Sequence, residues 1–321
     1  MNEKNVRVPS HNNNILQIYF PIPKFSIKKK VDFVTLSNIH PKYERLLYSF
    51  LESSGFKVSS DHKMIKGHYD MKRTYKNECS EMSVEIMHGF KSSFIYRPTL
   101  LVKIHDPNSR YLSFLDSFFK YHQISPIVSS IELTFDFLTD DKCALYENLK
   151  FYLFLKNSRT WAYNKYIYTY YANQIRRSTK GMRLYWKDVK KPVRLELVLK
   201  KHIIRKVGLE FPLDKLDSLD LKQYFSFMYL NVDRINNYLV SKAVRNIDEK
   251  NRKRKEYVDL LISHISTTAG FLFPDDDPLM RQIDSLKTKK KYLPNYSRFI
   301  EPFDDLNEKF FSEVSTQHFL T

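Results

Sequence analysis

The chain reads as an α+β protein built on an antiparallel sheet, and three observations predict it. Segments that alternate apolar and polar side chains with a period of two are interleaved with segments of helical spacing through the first two thirds of the sequence. Each of the clearest strand segments carries one apolar and one polar face, the pattern of an antiparallel sheet covered on one side. Hydrophobic residues make up 42% of the chain and charged residues 28%, a globular balance.

Taken in order, residues 42–54 place Leu46, Leu47, Phe50 and Leu51 at helical spacing, and Gly55 supplies a stop. Residues 83–88 and 99–105 read as strands. Asp106-Pro107-Asn108 makes a turn, and Tyr111 to Tyr121 an apolar-rich helix. Ser130 to Leu138 is the clearest strand, followed by a helix from about Lys142 to Leu155. A tyrosine-rich stretch, Tyr166 to Tyr171, leads to two further strands, Met182–Lys187 and Val193–Lys200. After Gly208 the character changes. Leu213 to Ala269 has long, charge-studded helical patterning that includes Lys250-Asn251-Arg252-Lys253-Arg254-Lys255, and Pro274, Pro278, Pro294 and Pro302 mark an irregular tail. The expected division is an α+β domain over residues 1–212 and a mainly helical, basic region over 213–321.

Charge points to a class of partner. The formal net charge is +17, a field that attracts polyanions, so nucleic acid or an acidic membrane surface is the natural partner. An AT-rich coding sequence enriches lysine, asparagine, isoleucine, tyrosine and phenylalanine by itself, so the charge carries less weight than its size suggests. No apolar run reaches the length of a membrane span, the first residues lack the apolar core of a secretory signal, and no membrane partner is expected. The two cysteines, Cys79 and Cys143, have no metal-type spacing and are expected as reduced thiols of a cytoplasmic protein. With six glycines and no phosphate-binding loop, nucleotide-dependent chemistry finds no support.

The chemistry lies in three strands. In Ile131-Glu132-Leu133-Thr134-Phe135-Asp136-Phe137 the polar face carries Glu132, Thr134 and Asp136. In Met182-Arg183-Leu184-Tyr185-Trp186-Lys187 it carries Arg183, Tyr185 and Lys187, and in Val193-Arg194-Leu195-Glu196-Leu197 it carries Arg194 and Glu196. If those faces coincide, three carboxylates form a hard-cation site for Mg²⁺ or Mn²⁺, and Tyr185 can attack a metal-polarised phosphodiester. Its hydroxyl titrates near 10 when unperturbed, so Lys187 or the metal must help remove the proton. A solvated outer face produces the same alternation without any chemistry. His88, His105 and His122 are scattered, no His-x-His pair occurs, and His105 beside Asp106 is the pair nearest to a ligand set. Tyr163, Tyr166, Tyr168, Tyr170 and Tyr171 serve packing or base stacking equally well.

The ordered set of strands resembles a family. Val128-Ser129-Ser130-Ile131-Glu132-Leu133-Thr134-Phe135-Asp136-Phe137 matches an acidic strand. Tyr170-Tyr171-Ala172-Asn173, Arg176-Arg177-Ser178 and Arg183-Leu184-Tyr185-Trp186-Lys187 match a tyrosine strand, a basic-serine turn and an Arg-hydrophobic-Tyr-x-Lys strand. Val193-Arg194-Leu195-Glu196-Leu197-Val198-Leu199-Lys200-Lys201 matches an Arg-hydrophobic-Glu strand. Over residues 128–206 the chain is similar to the trans-acting plasmid replication initiators and the gene II proteins of filamentous phages. An upstream strand that often carries a glutamate in that family reads here Val102-Lys103-Ile104, with His105 and Asp106 as the candidates to substitute.

The resemblance implies a circularly permuted, palm-like sheet of the rolling-circle nickase type. It implies Tyr185 as the nicking residue, with Arg183 and Lys187 beside it, and Glu132, Asp136 and Glu196 near a divalent metal. Tyr171, Arg176, Arg177, Arg194, Lys253 and Arg254 are the expected DNA contacts. The implied activity nicks and rejoins one strand at a plasmid or phage origin through a 5′-phosphotyrosine and leaves a 3′ hydroxyl. The implied partners are single-stranded or cruciform origin DNA and a host helicase, and a homodimer is an admissible assembly. The alternative is a catalytically inert basic protein that binds nucleic acid with the same fold.

Overall fold

Ser26–Ile39, which contains Lys28-Lys29-Lys30, forms strand β1. A computed structural model describes residues 22–64, 69–90, 99–155, 161–164, 169–172, 179–186, 191–230 and 300–320. Helix α1 (Glu44–Ser53) follows and buries Leu47 and Leu51. Gly55, at φ +84°, supplies the left-handed residue that closes such a helix end. A run of antiparallel strands comes next: β2 (Phe56–Lys63), β3 (Tyr69–Asn77), β4 (Ser83–Phe90) and β5 (Leu100–His105). The expected turn at Asp106 then feeds α2 (Ser109–Tyr121), whose first turn is capped by the Asn108 side chain accepting from the Tyr111 N–H at 3.0 Å.

Strand β6 (Ile127–Leu138) and helix α3 (Lys142–Tyr152) follow, the helix capped by Asp141, which accepts from the Ala144 N–H at 2.9 Å. The helix expected to run to Leu155 stops three residues early. Leu153–Leu155 is instead a short strand, β7, held by partners some seventy residues downstream. Strands β8 (Trp161–Asn164), β9 (Thr169–Ala172), β10 (Lys180–Tyr185) and β11 (Val193–Lys200) lead to helix α4 (Lys201–Lys206). Strand β12 (Phe225–Leu230), strand β13 (Ile300–Pro302) and helix α5 (Asp304–Ser315) complete the described elements.

Ten strands form one antiparallel sheet in the order β2-β3-β4-β5-β1-β6-β11-β10-β9-β8, while β13-β12-β7 form a smaller one. The centre of the large sheet is β6, flanked by β1 and β11. Its apolar set, Ile131, Leu133, Phe135 and Phe137, is fully buried. Each such side chain contributes roughly 1.5–3 kcal/mol of transfer free energy. Leu195, Leu197 and Leu199 of β11 and Met182 and Leu184 of β10 extend the same apolar face. Helix α5 packs on it, with the Phe310 ring 5.4 Å from Phe135 and 5.8 Å from Phe137.

Packing runs across the division expected at residue 212. Leu213, Leu216, Leu221, Phe225, Phe227, Leu306 and Phe310 belong to the same buried cluster as the sheet. The helix expected from Leu213 onward does not form before residue 230. Short 3-10 turns at Leu216–Ser218 and Leu221–Gln223 precede β12, where Phe225 and Phe227 are buried at a period of two. Residues 231–299, with Lys253 and Arg254, lie outside the described residues. No described helix is long and apolar enough to cross a membrane. Cys79 and Cys143 are both exposed free thiols.

Candidate functional site

The three polar faces coincide. Strand β11 lies between β6 and β10, and its register sets Glu196 opposite both Thr134 and Arg183. One step along, Arg194 stands opposite both Asp136 and Tyr185. Side chains directly opposite in neighbouring strands share a face, so Glu132, Thr134, Asp136, Arg183, Tyr185, Arg194 and Glu196 form one polar patch. The apolar face of the same strands is the core. This sheet orders its polar side through the packing of its other side.

Charge pairing in the patch is dense. The Arg183 guanidinium bridges two glutamates: Nη2 donates to Glu132 Oε2 at 2.5 Å, and Nε lies 2.5 Å from Glu196 Oε2. Arg194 grips Asp136 with two contacts, Nε to Oδ1 at 2.6 Å and Nη2 to Oδ2 at 2.8 Å, a fork-on-carboxylate arrangement. The Tyr185 hydroxyl donates a short hydrogen bond to Glu196 Oε1. Glu132 and Glu196 are buried at 3% and 4% exposure. Thr134, wholly buried between them, has a hydroxyl with no hydrogen-bond partner among the described residues.

Burial decides the protonation of this group. It raises Glu132 to about 8, with the neighbouring Glu196 charge adding to the shift and Arg183 opposing it. Glu196 is raised for the same first reason, against the lowering effect of Arg183. Of the two carboxylates around this guanidinium, Glu132 therefore retains a proton at neutral pH. Burial also raises the Tyr185 phenol well above its ordinary value, and Glu196 raises it further. Arg194 opposes the rise and is outweighed by burial and Glu196. Tyr185 is a neutral phenol whose proton already points at a carboxylate.

The patch has members that alternation in the three strands did not reveal. In β1 the pairing with β6 shifts between Val31 and Phe33, so Asp32 sits in a bulge. The Asp106 N–H donates to its carbonyl at 2.9 Å, and its carboxylate lies 3.9 Å from Arg194 Nη1. A signal was present in the sequence, because the apolar positions of β1 change parity between Val31 and Val34. Lys103 on β5 stands near Glu85, Glu132 and Asp32, and burial lowers its pKa. Its ammonium lies 3.7 Å from the centre of the Phe33 ring. Glu85 on β4 pairs with Lys72 at 2.9 Å and with His105 at 3.6 Å, and the proximity of His105 and then Lys72 holds it down to about 2.

His105 and Asp106, the candidates to complete a metal set, go to other partners. His105 faces Glu85, and Asp106 pairs with Lys30. His88 lies 3.1 Å from Glu44, and the His122 ring packs at a tilt against Phe118, centroids 4.6 Å apart. Tyr171 stands opposite Arg183 in the β9–β10 register. Lys187, Arg176 and Arg177 lie outside the described residues.

The carboxylates do not fit a divalent cation as they stand. Among the described residues no three histidine, cysteine or acidic side chains converge as a metal-holding group. Glu132, Glu196 and Asp136 each turn an oxygen toward a guanidinium nitrogen instead.

No protein-family model matches the chain, and no curated protein does. Among solved structures it is similar to a rolling circle replication initiator protein from Geobacillus stearothermophilus. Identity there is 13% and the TM-score 0.35, over 71% of this chain and 91% of that one.

Proposed function

We propose that the chain nicks and rejoins one strand of DNA as a replication initiator, with Tyr185 as the nucleophile. One observation carries the reading: the Tyr185 hydroxyl is hydrogen-bonded to the buried Glu196 carboxylate and flanked by Arg183 and Arg194 on a single sheet face. A nucleophile, a proton acceptor and two phosphate-binding cations are what attack on a phosphodiester needs. As the tyrosine oxygen forms its bond to phosphorus, its proton passes to Glu196. The bond from phosphorus to the 3′ oxygen breaks, and that oxygen takes a proton from water. The products are a 5′-phosphotyrosine and a free 3′ hydroxyl. Rejoining reverses the steps. The formal charge of +17 supports DNA as the substrate, and the ordered strand motifs support an origin on a plasmid or phage replicon served by a host helicase.

Labelled single-stranded oligonucleotides tiling the DNA around the gene test the proposal. The wild-type chain should form an adduct stable to denaturing gel electrophoresis. Tyr185→Phe should abolish it, because covalent attachment needs the hydroxyl. Tyr171→Phe should retain most of it. An adduct formed equally well by Tyr185→Phe rejects the nucleophile.

A second reading is an inert binder on the same sheet. The arginine pairing of Glu132, Asp136 and Glu196 favours it, since ion pairs of this kind also occur as purely structural networks. Salt-sensitive DNA binding with no adduct on any oligonucleotide is its signature.

A further inference from the structure

A carboxylate cluster that handles phosphate needs positive charge at its centre, and here the chain supplies its own. Arg183 lies between Glu132 and Glu196, with a nitrogen 2.5 Å from an oxygen of each. Both carboxylates are almost fully buried, so their repulsion has to be offset from within the protein. Lys103 adds a second cation from β5, on the side of Glu132 and Asp32, with its ammonium 3.7 Å from the centre of the Phe33 ring. A small divalent ion demands near-octahedral oxygen ligands at about 2.1 Å. An ion that took the same oxygens of Glu132 and Glu196 would displace the guanidinium from both and leave a part-buried arginine without its partners.

We infer that Arg183, backed by Lys103, takes the place of a divalent metal in this site, and that strand transfer at Tyr185 runs without one. The inference rests on the proposed nucleophilic role of Tyr185 for its second half only. The guanidinium offsets charge on the non-bridging phosphate oxygens, while the Lys103 ammonium offsets charge on the Glu132 side of the cluster. The bonds made and broken are those given above, and no metal-bound water or oxidant enters.

Two measurements on the full chain test it. The first is Mn²⁺ binding, read by electron paramagnetic resonance of the free ion. The wild type should show no saturable binding tighter than about millimolar, the weak end of protein carboxylate sites. Arg183→Gln, which leaves Glu132 and Glu196 without their shared cation, should bind Mn²⁺ at least about tenfold more tightly. Tight wild-type binding that Glu132→Gln removes overturns the inference. Should Arg183→Gln fail to fold, the comparison of wild type with Glu132→Gln decides: no saturable binding in either supports it. The second measurement is the rate of adduct formation in excess chelator and with added Mn²⁺. Equal rates support the inference, and an adduct that needs Mn²⁺ overturns it. If no adduct forms in either condition the strand-nicking reading fails, while the Mn²⁺ arm still decides whether Arg183 excludes the metal.

Discussion

Replacing Phe310 by alanine should cost the fold about 4 kcal/mol, within the range of roughly 3–5 kcal/mol for emptying a buried phenylalanine site. Phe310 on α5 is fully buried, and its ring centroid lies 5.4 Å from Phe135, 5.8 Å from Phe137, 5.4 Å from Phe225 and 5.3 Å from Phe227. Those neighbours sit on β6 and β12, two strands tied into different sheets, which cannot both move in to fill the space. The cavity term should therefore persist, and the lost ring contacts add to it. At about 2–4 °C per kcal/mol for a chain of this size class, the midpoint of thermal unfolding should drop by roughly 10 °C. Urea unfolding followed by tryptophan fluorescence is the sharpest assay. The two tryptophans, Trp161 and Trp186, lie in β8 and directly after β10, so they report on the large sheet and not on α5. A fluorescence midpoint unchanged by Phe310→Ala, or a cost below about 1 kcal/mol, would refute the view that residues 300–320 complete the core of the sheet.

Three further outcomes are expected. Glu196→Gln keeps the shape but removes the proton acceptor of Tyr185, so adduct formation should slow by about 10²–10⁴-fold with DNA binding retained; an unchanged rate assigns the proton elsewhere. Stability should fall as pH rises from about 4.5 to about 8, because folded Glu132 keeps a proton that the unfolded chain has released. Denaturant titrations across that window should show a flatter slope for Glu132→Gln, and an identical slope counts against a protonated Glu132. Glu85 acts with the opposite sign, its contribution being complete above its ordinary value of 4.5 and lost as pH falls toward about 2. DNA affinity measured by fluorescence anisotropy should drop steeply between about 50 and 200 mM salt through counterion release, and a flat response removes DNA as the partner.

Alternation is a local property, and what depends on it was legible. The strand through Ile131–Phe137, the polar sets Arg183/Tyr185 and Arg194/Glu196, the stop at Gly55 and the turn at Asp106 all follow from side-chain period and backbone preference within a few residues. β1 was not recognised, because Lys29 stands where an apolar residue was expected. It is buried with its ammonium 3.3 Å from Asp217 and 4.1 Å from the centre of the Phe319 ring, partners nearly two hundred and three hundred residues away. β7 read as the end of a helix for a similar reason. Leu153-Phe154-Leu155 suits either state, and its pairing with Phe225–Phe227 decides which.

The polar faces of the three strands were therefore readable in the sequence by itself, because a strand points alternate residues to opposite sides wherever it is placed, whereas Asp32 and Lys103 were not. Only the tertiary structure decided that the faces coincide, since a one-residue slip of β11 against β6 turns Arg194 and Glu196 toward the core. It decided the partners as well. Arg183 ends between Glu132 and Glu196, and Tyr185 ends on Glu196, through pairings of strands up to about fifty residues apart in the chain. Protonation follows from the same source, because the burial that holds Glu132 near 8 is made by the whole sheet and is written in no single segment.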